Sequence, residues 1–315
     1  MKLCKPLFEI WEQSAGLEGV YKQIERVGRV CYKSEDKITE DSAKPFVDRM
    51  IKSGHGAMLE HGTVYLKVIN KGLSLCNYEK DHIEDKYINN PYSKVVFGKY
   101  PKYNSYEEKL KATQEVYITT NYRVLVENGW LDDLQYICEP TEYHERRITV
   151  HFVCDRGVSH EFVRHRVMSF AQESTRYCNY SKDKFGNELT FIKPCWLDIP
   201  TGQYIYWDGD WCDINKMKIQ LPEGEHKDID AFLWTLNNAE THYTLLINSG
   251  WKPQEARAVL PNSLKTELVV TGFTSDWNHF FDLRARGTTG APHPQAKELA
   301  EPLMKEFIAR NYIDN

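Results

Sequence analysis

A chain of 315 residues with 41% hydrophobic and 27% charged residues has the composition of a folded globular protein, long enough for one large domain. The net charge of −5 excludes bulk attraction to nucleic acid or to an anionic membrane, so any anion site has to be local. No apolar run approaches the roughly eighteen residues of a membrane span, and the first residues lack the apolar core of a signal peptide.

Eight cysteines are scattered at positions 4, 31, 76, 138, 154, 178, 195 and 212, and none forms a Cys-x-x-Cys pair. Zinc and disulfide frameworks are therefore weak readings, no metal is expected, and reduced thiols in a cytoplasm are the default. There is no internal period of about 20 to 50 residues. Neither a Gly-x-Gly-x-x-Gly nor a Walker loop is present, so any nucleotide has to be gripped by side chains and helix ends.

In chain order, Lys2-Leu3-Cys4 opens as a short strand. Leu17, Tyr21, Ile24 and Gly28 recur at helical spacing up to Cys31 and read as core. Asp41 is placed to cap a second helix carrying Phe46, Met50 and Ile51, ended by Gly54 and Gly56. His61 and Thr63 precede a strand over Val64 to Val68; a lone histidine there reads as structural on its own. From about 70 to 147 the chain is least legible. Tyr100 to Tyr106 mixes tyrosines with lysine, which suggests stacking on single-stranded nucleic acid. Interspersed acids argue instead for a solvated face. Glu107 to Glu127 reads as one long helix ending at Gly129.

Ile148 to Cys154 is β-branched and aromatic and reads as a strand, followed by a turn at Asp155-Arg156-Gly157. Ser159 is the expected N-cap of a helix running through Arg166. Between Ser159 and Tyr177, Arg164, Arg166 and Arg176 are interleaved with Phe162, Val163, Val167, Met168 and Phe170. That mixture suggests cations on a packed scaffold aimed at an anion, through fork-shaped guanidinium groups. A partly buried helix whose arginines pair with distant carboxylates is the alternative. Beyond Ser169 the helical period is lost and a polar loop carries Ser174, Arg176 and Tyr177.

Glu188 to Lys193 alternates as a strand stopped by Pro194. Pro200 to Glu225 reads as an irregular excursion. Asp230 to Ser249 is a long amphipathic helix stopped by Gly250, with Pro253 opening the next. Lys265 to Val270 is a strand closed by Thr271-Gly272. Thr274 or Ser275 is the expected cap of a helix over Asp276 to Arg284, and a last helix near Ala296 to Asn311 is kinked at Pro302. The order of elements indicates an α+β (mixed α/β) fold, a central β-sheet flanked by helical layers.

Arg164-His165-Arg166, seven residues, then Ser174 resembles the Arg-His-Arg-x7-Ser signature of the flavin-dependent thymidylate synthases. Ser169, Gln172, Arg176 and Tyr177 match its extended form. An Ala-Arg-x-Val-Leu-Pro run containing Arg257 matches too, as does a helix closing on Leu283-Arg284. The likeness spans most of the chain, read as a single domain over 1–315 with an insertion at about 70–147. It implies reductive methylation of dUMP to dTMP. Methylenetetrahydrofolate would donate the one-carbon unit and NADPH-reduced FAD the hydride, in a homotetramer with sites shared between chains.

By the same resemblance, dUMP is assigned to Glu161, Arg164, Gln172, Glu173, Ser174, Arg176, Arg257 and Arg284, with Arg284 the catalytic group on the pyrimidine. FAD is assigned to His61, Thr63, Arg164, His165, Arg166, Gln172, His279 and His293. Two departures stand out. Where the family often has Asn and Arg after the Thr-Gly pair, this chain has Phe273 and Ser275. Where Gln is common before the Arg-His-Arg run, it has Glu161, an acid that would repel phosphate. The competing readings are a single-stranded nucleic-acid-binding protein, against which the charge argues, and a hydrolase using Ser174. The latter lacks a Gly-x-Ser-x-Gly elbow and an evident His-Asp partner.

Overall fold

The structure is a computed structural model of the chain and describes residues 1–71, 82–99, 105, 113–182, 185–222 and 227–314. The expected helix over 107–127 falls partly outside these residues, as do the Tyr-rich stretch of 100–106 except Ser105 and the end of the 200–225 excursion.

The chain begins with strands β1 (Lys2–Cys4) and β2 (Leu7–Trp11), then helices α1 (Gly16–Tyr32), α2 (Ala43–Lys52) and α3 (Gly56–Leu59). Strand β3 (Thr63–Lys71), helix α4 (Ile83–Ile88), strands β4 (Lys94–Phe97) and β5 (Thr113–Asn121) and helix α5 (Tyr122–Asn128) follow. Strand β6 (Arg147–Asp155), helix α6 (Arg156–Phe162) and strand β7 (Ser169–Gln172) contain the signature. Then come β8 (Thr190–Ile192), β9 (Gly202–Gln203), β10 (Ile205–Trp207), β11 (Asp210–Cys212), α7 (Lys227–Asn248) and α8 (Pro253–Ala256). Strand β12 (Lys265–Phe273), α9 (Thr274–Phe281) and α10 (Pro294–Ala309) complete the chain, with a π-helical turn at Asp282–Arg286.

The organising element is an antiparallel sheet in the order β2-β6-β12-β7. Strand alternation gives it two different faces. Ile148, Val150, Phe152, Leu268 and Val270 point to one side, where α6, α9 and α10 supply Phe162, Trp277, Phe280, Phe281, Leu303 and Phe307. Trp277, Phe280 and Phe281 reach that core together because they lie three and four residues apart on one helix. On the other side Trp11, Val269 and Ala171 pack under Val27, Val30 and Cys31 of α1. Helical layers on both faces of a sheet are thus present, as expected. A second sheet, β3-β5-β4, shares a core with α1 and α2, and a third core surrounds α7, β1 and β8.

Several local expectations are corrected. The cap of α6 is Asp155, whose carboxylate accepts from the Val158 N–H at 2.7 Å; Ser159 lies inside the helix and donates back to the Arg156 carbonyl. A carboxylate at the positive helix end outcompetes the hydroxyl, so in place of the turn expected at Asp155–Gly157, Asp155 ends β6 and Arg156 and Gly157 open the helix. The helix stops at Phe162, not Arg166, and Val167 takes a left-handed φ of 78°, a costly conformation for a β-branched residue. Ser42, not Asp41, precedes α2, and its hydroxyl donates to Glu25 instead of capping. Phe273 precedes α9, and Asp276 accepts its N–H, so neither Thr274 nor Ser275 is the cap. Residues 113–121 are strand, because alternating Val116, Ile118 and Thr120 pair along β3. Only Tyr122–Asn128 is helical, closed by left-handed Gly129. The 200–225 excursion contains ordered strands, including a β10–β11 hairpin turned at Asp208-Gly209, both at positive φ.

Candidate active site

The expected site residues fall into three groups around the central sheet, with His293 apart. The first group lies on the face covered by α6 and α9. Arg284, at the π-helical turn, donates to the Glu161 carboxylate at 2.6 Å, to the Glu161 carbonyl at 2.9 Å and to His165 Nε2 at 3.1 Å. An arginine can only donate, so Nε2 of His165 must be the acceptor and its proton sits on Nδ1. That Nδ1–H is buried without a partner. Burial first, then the neighbouring Arg284 and His279, push the His165 pKa down to about 4, so the ring is neutral at neutral pH. The Phe280 ring backs His165 at 4.9 Å and the exposed His279 ring stands 5.8 Å away. Glu161 is therefore paired with a cation, which removes the expected repulsion of a phosphate. Arg164 and Arg166 flank this cluster, both exposed and without a side-chain hydrogen bond or ion pair among the described residues.

The second group lies on the opposite face. His61, fully buried, bonds Thr271 Oγ1 through Nδ1 at 2.8 Å, and Thr271 bonds Thr149 at 2.8 Å. Burial and the charge of Arg147 lower the His61 pKa to about 3, and its Nε2 has no hydrogen-bond partner. Thr63 accepts from Arg147 at 3.4 Å. Arg147 also donates to the Glu60 carbonyl at 3.0 Å and to Ser169 Oγ at 3.1 Å. Sequence reading missed Arg147; the paired Arg146-Arg147 at the start of a β-branched strand was the available signal.

The third group follows β7. Gln172 reaches back to Ser159 and Thr266 through its amide at 2.8 and 3.2 Å. The Ser174 amide donates to the Cys31 carbonyl of α1, and its hydroxyl accepts from the Arg176 amide. Arg176 and Arg257 are both exposed, held by Gln254 of α8 at 3.2 Å and by Thr175 at 3.3 Å respectively. Two cations from different elements thus flank one loop. Glu173 does not reach this surface. It is buried, accepting from Tyr180 at 2.8 Å and from Lys265 at 3.0 Å. Burial opposes the Lys265 ammonium, but Glu173 and Glu267 outweigh it and raise its pKa. Lys265 was not singled out beforehand; lysine at the start of a strand carries no signal of its own.

His293 stands apart from these groups, its ring 5.9 Å from Trp196. A cavity of about 840 Å³ beside Trp211 and Trp234 contains none of the expected residues. Among the described residues no helix is long and apolar enough to cross a membrane.

Residues 138–310, more than half of the chain, match the family described as thymidylate synthase complementing protein. The signature, Arg257, Arg284, His279 and His293 lie inside that span; His61 and Thr63 lie before it. A flavin-dependent thymidylate synthase of Pyrococcus furiosus is 30% identical over 163 residues, covering 51% of this chain and 53% of that protein. One from Geobacter sulfurreducens is 26% identical over 129 residues, 41% of this chain and 43% of that protein. The chain spans about half the length of the curated relatives it matches. Among solved structures, the UMP/dUMP methylase PolB from Streptomyces cacaoi, bound with 5-Br dUMP, aligns over 98% of this chain and 93% of its own. The identity there is 15% and the TM-score 0.42.

Proposed function

Since the chain belongs to the family of thymidylate synthase complementing proteins, we propose that it is an enzyme converting dUMP to dTMP by reductive methylation. The observation that carries this reading is the Arg284 guanidinium, oriented by Glu161 and by a neutral His165 within ten residues of the exposed Arg164 and Arg166. FAD is the proposed cofactor, with methylenetetrahydrofolate and NADPH as co-substrates. The residues present fit a flavin: His61 Nε2 and His165 Nδ1 are buried and unpartnered, and a heteroaromatic ring system supplies both donors and acceptors. When bound, reduced FAD supplies the hydride and the folate the one-carbon unit.

This chain's residues bind and polarise. Arg176, Arg257 and Ser174 would hold the dUMP phosphate and sugar, and Arg164 and Gln172 are assigned to both nucleotide and flavin. Glu173 acts through the loop, anchoring it by Tyr180 and Lys265. Arg284 would present the N–H left on each terminal nitrogen to negative charge developing on the pyrimidine, with Glu161 and His165 fixing its orientation. His61, Thr63, His165, Arg166, His279 and His293 are assigned to the flavin. His61 and His165 sit on opposite faces of one sheet. That separation fits sites shared between copies in a homotetramer, with residues 70–147 as an insertion in a single domain, working in the cytoplasm. No observation favours the nucleic-acid-binding alternative.

The test is spectroscopic. Purified protein supplied with FAD is expected to show an absorption band at about 450 nm, the signature of bound oxidised flavin. Addition of dUMP is expected to perturb that band. Protein that binds neither FAD nor dUMP contradicts the proposal.

A further inference from the structure

Arg147 is 7% exposed, and no carboxylate lies within ion-pairing distance of it among the described residues. Its bonds go to a carbonyl and two hydroxyls, all neutral acceptors, and its Nε has no partner. Of the acids whose charge acts on it, Glu60 is engaged by Arg123 and Asp276 accepts the Phe273 amide. Burial lowers its pKa to about 10, which still leaves it charged at neutral pH. A buried charge paired only with dipoles is costly unless an anion completes it.

Arg147 lines a cavity of about 100 Å³. Arg146 lines the same cavity, exposed and without a side-chain hydrogen bond or ion pair among the described residues. Ser14, Ala15 and Gly16 form another wall, and these begin α1, a helix of 17 residues whose N-terminus has no side-chain cap. Unfilled N–H groups and the positive end of the helix dipole therefore border the same space as two guanidinium groups. Two acids also border it. Glu12 is taken by Arg310 at 3.0 Å and Tyr312 at 2.7 Å, which leaves Glu139. The volume suits one tetrahedral oxyanion and falls short of the several hundred Å³ of a whole-ligand pocket.

We propose that this cavity is a phosphoryl-binding subsite, in which Arg146, Arg147 and the N-terminus of α1 grip one phosphoryl group of a nucleotide. Arg147 also holds Thr63, assigned above to the flavin. The flavin diphosphate and the dUMP monophosphate share the required chemistry. Which of them supplies the phosphoryl group rests on the function proposed above; the anion site itself does not.

The experiment uses the full chain, with Arg146→Ala as an exposed substitution expected to fold and Arg147→Gln as the buried one. Inorganic phosphate, against chloride at equal ionic strength, is expected to raise the melting temperature of the unsubstituted protein and not of either variant. In direct binding, each variant is expected to weaken FAD at least about tenfold, ~1.4 kcal/mol, and to leave riboflavin, which has no phosphate, unchanged. If dUMP is weakened instead and FAD is not, the subsite takes the dUMP phosphate. No stabilisation by phosphate, equal stabilisation of Arg146→Ala, or riboflavin weakened as much as FAD overturns the subsite. Phosphate-dependent stabilisation lost in the variants, in a protein that binds neither flavin nor dUMP, retains the subsite and removes the proposed function.

Discussion

His61 and His165 show how burial sets a side chain's charge before any ligand arrives. Both have folded pKa values below the usual histidine value, about 3 and about 4, with desolvation the first cause. Below about pH 6.5 the unfolded chain therefore takes up protons that the folded chain refuses, and stability falls as pH falls from there toward those values. Each histidine is expected to add a slope of about 1.4 kcal/mol per pH unit inside that window. Denaturant titrations of flavin-free protein between pH 6.5 and 4.5 check this: His61→Gln and His165→Gln should each flatten the dependence, and an unchanged slope contradicts the assignment. The arginines divide differently. Arg176 is proposed to hold the dUMP phosphate both before and during reaction, so Arg176→Ala should raise the apparent dUMP constant with a smaller effect on turnover. Arg284 is proposed to meet charge that grows only as the ring is activated. Arg284→Ala should cut turnover at least about a hundredfold, as for loss of one oxyanion donor, and Arg284→Lys should not restore it. A rise in the dUMP constant alone would make Arg284 a clamp.

At the scale of elements, the site depends on how α9 is seated. Phe280 meets Phe162 edge-on at 4.9 Å and His165 at a tilt at 4.9 Å, so one ring fixes α6, α9 and the imidazole together. Phe280→Ala is expected to destabilise the fold by about 3–5 kcal/mol, read from denaturant melts, and to loosen the Arg284–His165 contact. A loss of less than about 1 kcal/mol would mean the cluster is held from elsewhere. The period of Trp277, Phe280 and Phe281 made α9 legible, as β-branched and aromatic residues did for β6. What was not legible lay where two local signals compete. Asp155 and Ser159 both suit a helix start, and only the fold shows which one meets free N–H groups. The segment Thr113–Asn121 falls inside the helix expected over Glu107 to Glu127, yet its β-branched residues pair with β3 at long sequence distance. At the site, the signature announced Arg164 to Ser174. It did not announce that Glu161 would be neutralised by Arg284, that Glu173 would be turned inward to Lys265, or that Arg147 would be buried beside Thr63.

For the whole molecule, the central sheet separates residues that one flavin is proposed to meet. If sites are completed by a second copy, two inactive variants should repair each other. Mixing His61→Ala with Arg284→Ala protein, with exchange of subunits, is expected to restore a fraction of the activity that neither has alone; no recovery despite proven exchange would place each site within one chain. The central claim is tested most directly by the folate product. With dUMP, methylenetetrahydrofolate, FAD and NADPH supplied, the hydride should come from the flavin, so the folate leaves unoxidised. Chromatography of a quenched reaction is expected to find one tetrahydrofolate formed and one NADPH consumed for each dTMP formed. Dihydrofolate in step with dTMP, or no dTMP from flavin-loaded protein, would contradict the account.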